Sequence, residues 1–147
     1  MALNRGQLIQ SFLYTISEDV RMYRQLHQLL QQQKALYLQF DGESLGNNIR
    51  QQVPLLNQLN RNATQRSQCL QRLALPNDPA GVKHLFGALP QHLQERVRKQ
   101  WRALNTMIEQ CQHLNQSNGH SSAMLHELLA EMTNPSPTYQ ERSSATL

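Results

Sequence analysis

The sequence predicts an all-α protein: an elongated antiparallel three-helix bundle or coiled coil with a short extra helix and a disordered C-terminal tail. Three observations carry that expectation. From Leu93 to Met132, steps alternating between four and three residues meet Leu93, Val97, Gln100, Leu104, Met107, Cys111, Leu114, Asn118, Ser121, Leu125, Leu128 and Met132, a helical stripe apolar at nine of its twelve positions. Residues 7–40 carry two such stripes side by side, so that helix is expected to have two helical neighbours. Leucine supplies most of the apolar content and glutamine is abundant, while glycine, aromatic and β-branched residues are sparse, a composition that favours helices. At 147 residues the chain suits one domain and needs no covalent staple.

The first helix, near 7–40, has one stripe through Ile9, Leu13, Ile16, Val20, Tyr23, His27, Leu30, Lys34 and Tyr37. Its second runs through Leu8, Phe12, Thr15, Asp19, Met22, Leu26, Leu29, Gln33, Leu36 and Phe40. His27 and Lys34 read as polar positions at the bundle edge, where long stems cover apolar surface. Glu18 and Asp19, opposite Arg21 and Arg24, read as ordinary surface charges. Asp41-Gly42-Glu43-Ser44 supplies a turn, with Asp41 or Ser44 as N-cap, and the chain reverses there.

The second helix, near 44–74, has a weaker stripe of Leu45, Ile49, Val53 or Leu56, Leu59, Ala63, Leu70 and Leu73. Pro54 is expected to kink or split it, because proline removes a backbone donor and crowds the preceding turn. Pro76, Asn77, Asp78 and Pro79 end it, and Asp78-Pro79 reads as the N-cap and first position of a short helix around 79–87. Leu89-Pro90 then starts the long helix, near 90–132, whose second flank carries Trp101 and Ile108 and widens its buried face. Asn115, Asn118, Gly119 and Ser121 interrupt that face. Two readings fit the interruption: polar residues that fix register between helices at a cost in stability, or a hinge or docking groove. Residues 1–132 therefore form the expected domain, and residues 133–147, rich in Pro, Ser and Thr, form the expected tail with Tyr139 as its one large anchor.

Charge and chemistry narrow the function classes. Arg50, Arg61, Arg66 and Arg72 lie in a stretch from Ser44 to Asn77 that has no acid, and the first, second and last of them repeat every eleven residues on one helical face. The stretch has no aromatic to stack on a base and no lysine cluster, which favours a solvated face, or one paired with acidic neighbours, over a nucleic-acid ridge. Cys69 and Cys111 have no zinc spacing and read as buried thiols in a reducing compartment. No paired-acid signature, nucleophile elbow or phosphate loop appears, so no enzyme is expected. His113 and His120 lack both HExxH spacing and an orienting carboxylate, so no metal and no cofactor is expected either. The absence of a signal-peptide layout and of an apolar run near ~20 residues predicts a cytoplasmic protein with no stable membrane insertion. At the end of the long helix Leu125, Leu128, Leu129 and Met132, with the adaptable Met124, form an apolar surface suited to a partner helix as well as to a core.

Trp101, then Leu114-Asn115-Gln116-Ser117-Asn118-Gly119, then a leucine-rich turn, then Thr138-Tyr139, resembles the FlgN-type flagellar export chaperones, which tend to carry a tryptophan, an L-N-x-x-N-G segment and a terminal T-Y in that order. Leu29-Leu30, Lys34, Leu55-Leu56, Leu59, Arg66 and Leu70 are spaced like that family's first hairpin. The chain departs from the family's pattern at Gln140-Glu141-Arg142, where glycines often follow the tyrosine, and at Pro54. The resemblance implies a helical bundle that binds the C-terminal helices of the hook–filament junction proteins FlgK and FlgL. It further implies that the protein keeps them from premature assembly and delivers them to the type III export gate FlhA. Substrate binding would map to Leu125, Leu128, Leu129 and Met132, and gate docking to Tyr139. The alternative class is a generic coiled-coil adaptor or homo-oligomer, in which the apolar end closes on another copy.

Overall fold

In a computed structural model of the chain, the backbone is described for residues 4–133 and side chains for residues 4–130. Four helices follow in order: α1 (Arg5–Gln39), α2 (Gly42–Arg72), α3 (Pro79–Gly87) and α4 (Gln91–Thr133). Among the described residues there is no strand. The expected disordered tail lies outside the described residues apart from Thr133, the last residue of α4.

Local signals set the ends. Asn4 caps α1 through a capping box with Gln7, which starts the helix two residues before the apolar period does. Asp41 accepts from the Ser44 amide at 3.1 Å and caps α2; Asp78 accepts from the Gly81 amide at 2.9 Å and caps α3, with Pro79 at the first helical position. The α2–α3 corner is tight enough that a Cβ added to Gly81 would fall 1.8 Å from the Pro76 carbonyl oxygen, so only glycine fits there.

Helix α1 is the centre of the bundle. It packs along both α2 and α4, as its two stripes require, while α2 and α4 share few neighbours. Hydrogen bonds from Asn62 to Asp19 and from Gln52 to Gln33 run the register of α2 backwards along α1. Those from Cys111 to the Tyr23 carbonyl and from Asn118 to the Leu30 carbonyl, each spanning 88 residues, keep α4 parallel to α1. Successive long helices therefore alternate in direction. One end is closed by α3, where Phe12, Phe86 and Trp101 form a triad with ring centroids about 6 Å apart over Ile16, Leu85 and Leu104. Midway, Met22, Leu26, Leu30, Leu59 and Cys111 form a second apolar layer.

Three expectations are corrected. Asp19 is no surface charge: it is fully buried, its carboxylate held at 2.6 Å by Arg66 and at 2.7 Å by the Asn62 amide. Arg66, by contrast, meets the expectation that the basic stretch pairs with an acidic neighbour, and its guanidinium also lies 5.9 Å from the centroid of the Trp101 ring. The ion pair thus ties all three long helices together. Second, α2 buries Leu59, Leu70 and Leu73 of its expected stripe but not Ile49, Val53 and Leu56, which are 41%, 49% and 47% exposed; in that first half the buried positions are Asn48 and Gln52. Over those turns the inward face lies about one residue step, roughly 100°, from the one that apolarity alone favours. Third, of the kink or split expected at Pro54, the split does not occur: α2 continues through the proline, which lies on the exposed side. Phe40, the last residue of the second α1 stripe, is also exposed, because it adopts the left-handed conformation that ends α1.

Both cysteines are free and buried, and burial pushes the Cys111 thiol up to about 11, so it stays protonated and unreactive near neutral pH. The Tyr23 hydroxyl is likewise raised, by burial first and by the Asp19 carboxylate second.

The buried pair makes a sharp prediction. Arg66→Met strands the Asp19 carboxylate and is expected to cost about 3–5 kcal/mol in urea unfolding, whereas Arg66→Met combined with Asp19→Leu recovers most of that loss. Equal destabilisation by the single and double variants would show that Asp19 does not depend on Arg66.

Candidate functional site

The site begins where the apolar layers stop. Above Leu30, the facing residues of all three long helices are amides, and Gln33 of α1 stands at their centre. Its Oε1 accepts from Gln52 Nε2 of α2 at 2.8 Å and from Asn118 Nδ2 of α4 at 3.3 Å, and its Nε2 donates to the Tyr37 hydroxyl at 3.1 Å. Gln52 also donates to Asn48 Oδ1 at 2.8 Å, and Asn48 Nδ2 donates to the Leu29 carbonyl at 2.9 Å. Asn118 Nδ2 donates to the Leu30 carbonyl at 2.9 Å. Its Oδ1, buried in a side chain only 1% exposed, has no hydrogen-bond partner in the protein. An orphaned acceptor of this kind costs about 1–3 kcal/mol, so the layer gives direction to the packing at the expense of stability.

The residues singled out in the sequence separate here. Of the polar interruption on α4, only Asn118 turns inward; Asn115 and Gly119 are exposed, Leu114 and Ser121 half-buried, and the helix continues through Gly119. Trp101 lies some distance below, at the aromatic end. Beyond Asn118 the packing thins. Leu125 is half-buried, while Met124, Leu128 and Leu129 are 52%, 44% and 47% exposed. Continued at the same 88-residue offset, the register sets Leu125 level with Tyr37 and Leu128 level with Phe40, where α1 ends. Among the described residues, α1 does not extend alongside α4 beyond that point. Phe40 and Leu38, also exposed, lie at the same end. The side chain of Met132, and all of Tyr139, fall outside the described residues.

Chemically this surface is apolar. Among the described residues no group of His, Cys, Asp and Glu could hold a metal ion, and no helix is long and apolar enough to cross a membrane. The amide layer and the Asp19–Arg66 pair escaped the sequence reading, although one sign of them was present: Thr15, Asp19 and Gln33 fall on an otherwise apolar stripe of α1.

A family model described as FlgN protein matches residues 1–136. No curated protein and no solved structure matches the chain.

The amide layer separates two kinds of polar residue. Asn118→Leu removes two hydrogen bonds but also the orphaned oxygen, and is expected to leave stability within about 1 kcal/mol of the parent. Gln33→Leu withdraws the shared partner of Gln52, Asn118 and Tyr37 and is expected to cost about 2–3 kcal/mol. Urea unfolding of the two variants checks the contrast, and the reverse order of stabilities would refute it.

Proposed function

This chain belongs to the FlgN family of flagellar export chaperones, and from that premise we propose that it binds the C-terminal helices of the hook–filament junction proteins FlgK and FlgL in the cytoplasm. There it holds them apart until they are delivered to the export gate FlhA. The substrate helix lies against the end of α4, on Leu125, Leu128, Leu129 and Met132. The observation that carries this reading is an apolar helix end that runs on past the last packed layer, with Met124 and Leu128 exposed where α1 stops. An amphipathic helix is the natural occupant, because its apolar face would bury leucines at the same i, i+3, i+4 spacing. Methionine beside those leucines lets one surface adapt to two related substrates. The layer below supports the same division of labour. Asn118 and Gln33 hold α4 to α1 by hydrogen bonds, so the bundle keeps its register whether or not the end of α4 is occupied. Residues 1–132 act as the chaperone domain in this reading. Tyr139, within the proposed tail of residues 133–147, acts as the gate-docking residue, since one tyrosine brings a large contact area and a hydroxyl at low rotamer cost.

Two measurements test the reading. Leu125→Ser with Leu128→Ser is expected to weaken binding of an isolated FlgK or FlgL C-terminal fragment by about 2–4 kcal/mol in calorimetry while the free protein keeps its helical circular dichroism. Unfolding of the free protein with residual affinity intact would make those leucines core. Tyr139→Ala is expected to leave folding and substrate affinity unchanged and to reduce capture of the chaperone–substrate complex by the purified FlhA cytoplasmic domain. Equal capture of parent and variant would remove Tyr139 from the mechanism.

A further inference from the structure

The misfit of α2 leaves an apolar stripe on the outside of the bundle. Ile49, Val53 and Leu56 follow one another at helical spacing, each more than two-fifths exposed. Arg50 and Arg61 flank the stripe on one side, exposed, and the hydrogen bonds of their guanidinium groups go to neutral amides, Asn47 and Gln58. From Ser44 to Asn77 the chain has no carboxylate with which to pair them. The end of α4 is the chemical opposite. It presents Met124, Leu125 and Leu128 within little more than one turn, with Glu127 exposed among them, and the chain holds no lysine or arginine between Arg102 and Arg142.

Within one molecule these two faces do not meet. Helices α2 and α4 both pack on α1 and share few neighbours, and Ile49, Val53, Leu56, Met124 and Leu128 are all left exposed. Pairing α2 with α2 of another copy would oppose arginines, and pairing α4 ends would oppose glutamates. The favourable contact is crossed.

We propose that two copies of this chain associate with the end of α4 from each laid on the Ile49, Val53 and Leu56 face of α2 in the other, Glu127 beside the partner copy's arginines. A two-fold axis makes the contact reciprocal and closes the assembly at a dimer, so no open chain of molecules forms. The dimer covers the same end of α4 to which the substrate helix was assigned, and in that one respect it rests on that reading: self-association and substrate binding exclude each other.

Sedimentation velocity of the full chain at concentrations up to about 100 μM and low salt tests this, since a modest interface shows itself by mass action only in that range. The expected result is a concentration-dependent dimer. Arg50→Glu with Arg61→Glu, both at exposed positions, raises its dissociation constant about tenfold or more, and adding Glu127→Arg to the same chain restores it, as a charge pair across an interface requires. A junction-protein C-terminal fragment converts the dimer to a one-to-one complex, and the α2 variant keeps its affinity for that fragment. A monomeric parent protein, or a dimer indifferent to these reversals, overturns the inference. If the parent stays monomeric yet binds the fragment, the crossed dimer alone fails; if the dimer behaves as stated and the fragment does not bind, the substrate assignment alone fails.

Discussion

The need to satisfy two polar groups buried in α1 governs the rest of this structure. Asp19 and Gln33 sit on the helix that every other long helix touches, fourteen positions apart on nearly one face. An unpaired carboxylate there would be prohibitive and an unpaired amide expensive, so each neighbour has to present a partner at the right height. Asn62 and Arg66 do so for Asp19, and Gln52 and Asn118 do so for Gln33. These contacts set the rotation and the register of α2, and with Asn118 the register of α4. Apolar layers between them contribute most of the burial but would tolerate sliding; the polar layers do not.

That constraint has a visible consequence on α2. In its first half the more apolar face would bury more oil, yet turning it inward would take Asn48 and Gln52 away from α1 and leave Gln33 without its α2 partner. The structure therefore keeps the polar face in and leaves Ile49, Val53 and Leu56 out. Ile49, Val53 and Leu56, a little under half exposed, each forgo about half of the roughly 1.5–3 kcal/mol of full burial, a sum comparable to the penalty of stranding a buried charge. Neither effect is negligible, and the polar one wins here because it acts at two heights at once.

The two ends of the bundle are unlike for a related reason. At the α3 end, Phe12, Phe86 and Trp101 seal the core, with Arg66 beside the tryptophan. At the other end α1 stops at Gln39 while α4 runs on to Thr133, and Met124 and Leu128 are exposed there. The sealed aromatic end buries its large side chains without drawing on the last turns of α4.

Much of this was readable in the residues themselves. The helices, the turn at Asp41, the Asp78-Pro79 start of α3, the two faces of α1 and the buried stripe of α4 from Val97 through Asn118 follow from periods and caps, which act over a few residues and depend little on what lies across the core. The family signature was legible because it is an ordered string of residues, of which Trp101 and Leu114 through Gly119 lie on α4. What only the tertiary structure decided is which face of α2 turns inward, that Asp19 is buried against Arg66, and that Gln33 joins three helices. Those outcomes rest on partners 19 to 85 residues apart in sequence. A hydrophobic period ranks the faces of one helix by apolarity, whereas the partners a buried carboxylate or amide requires can be supplied only by another helix at the matching height.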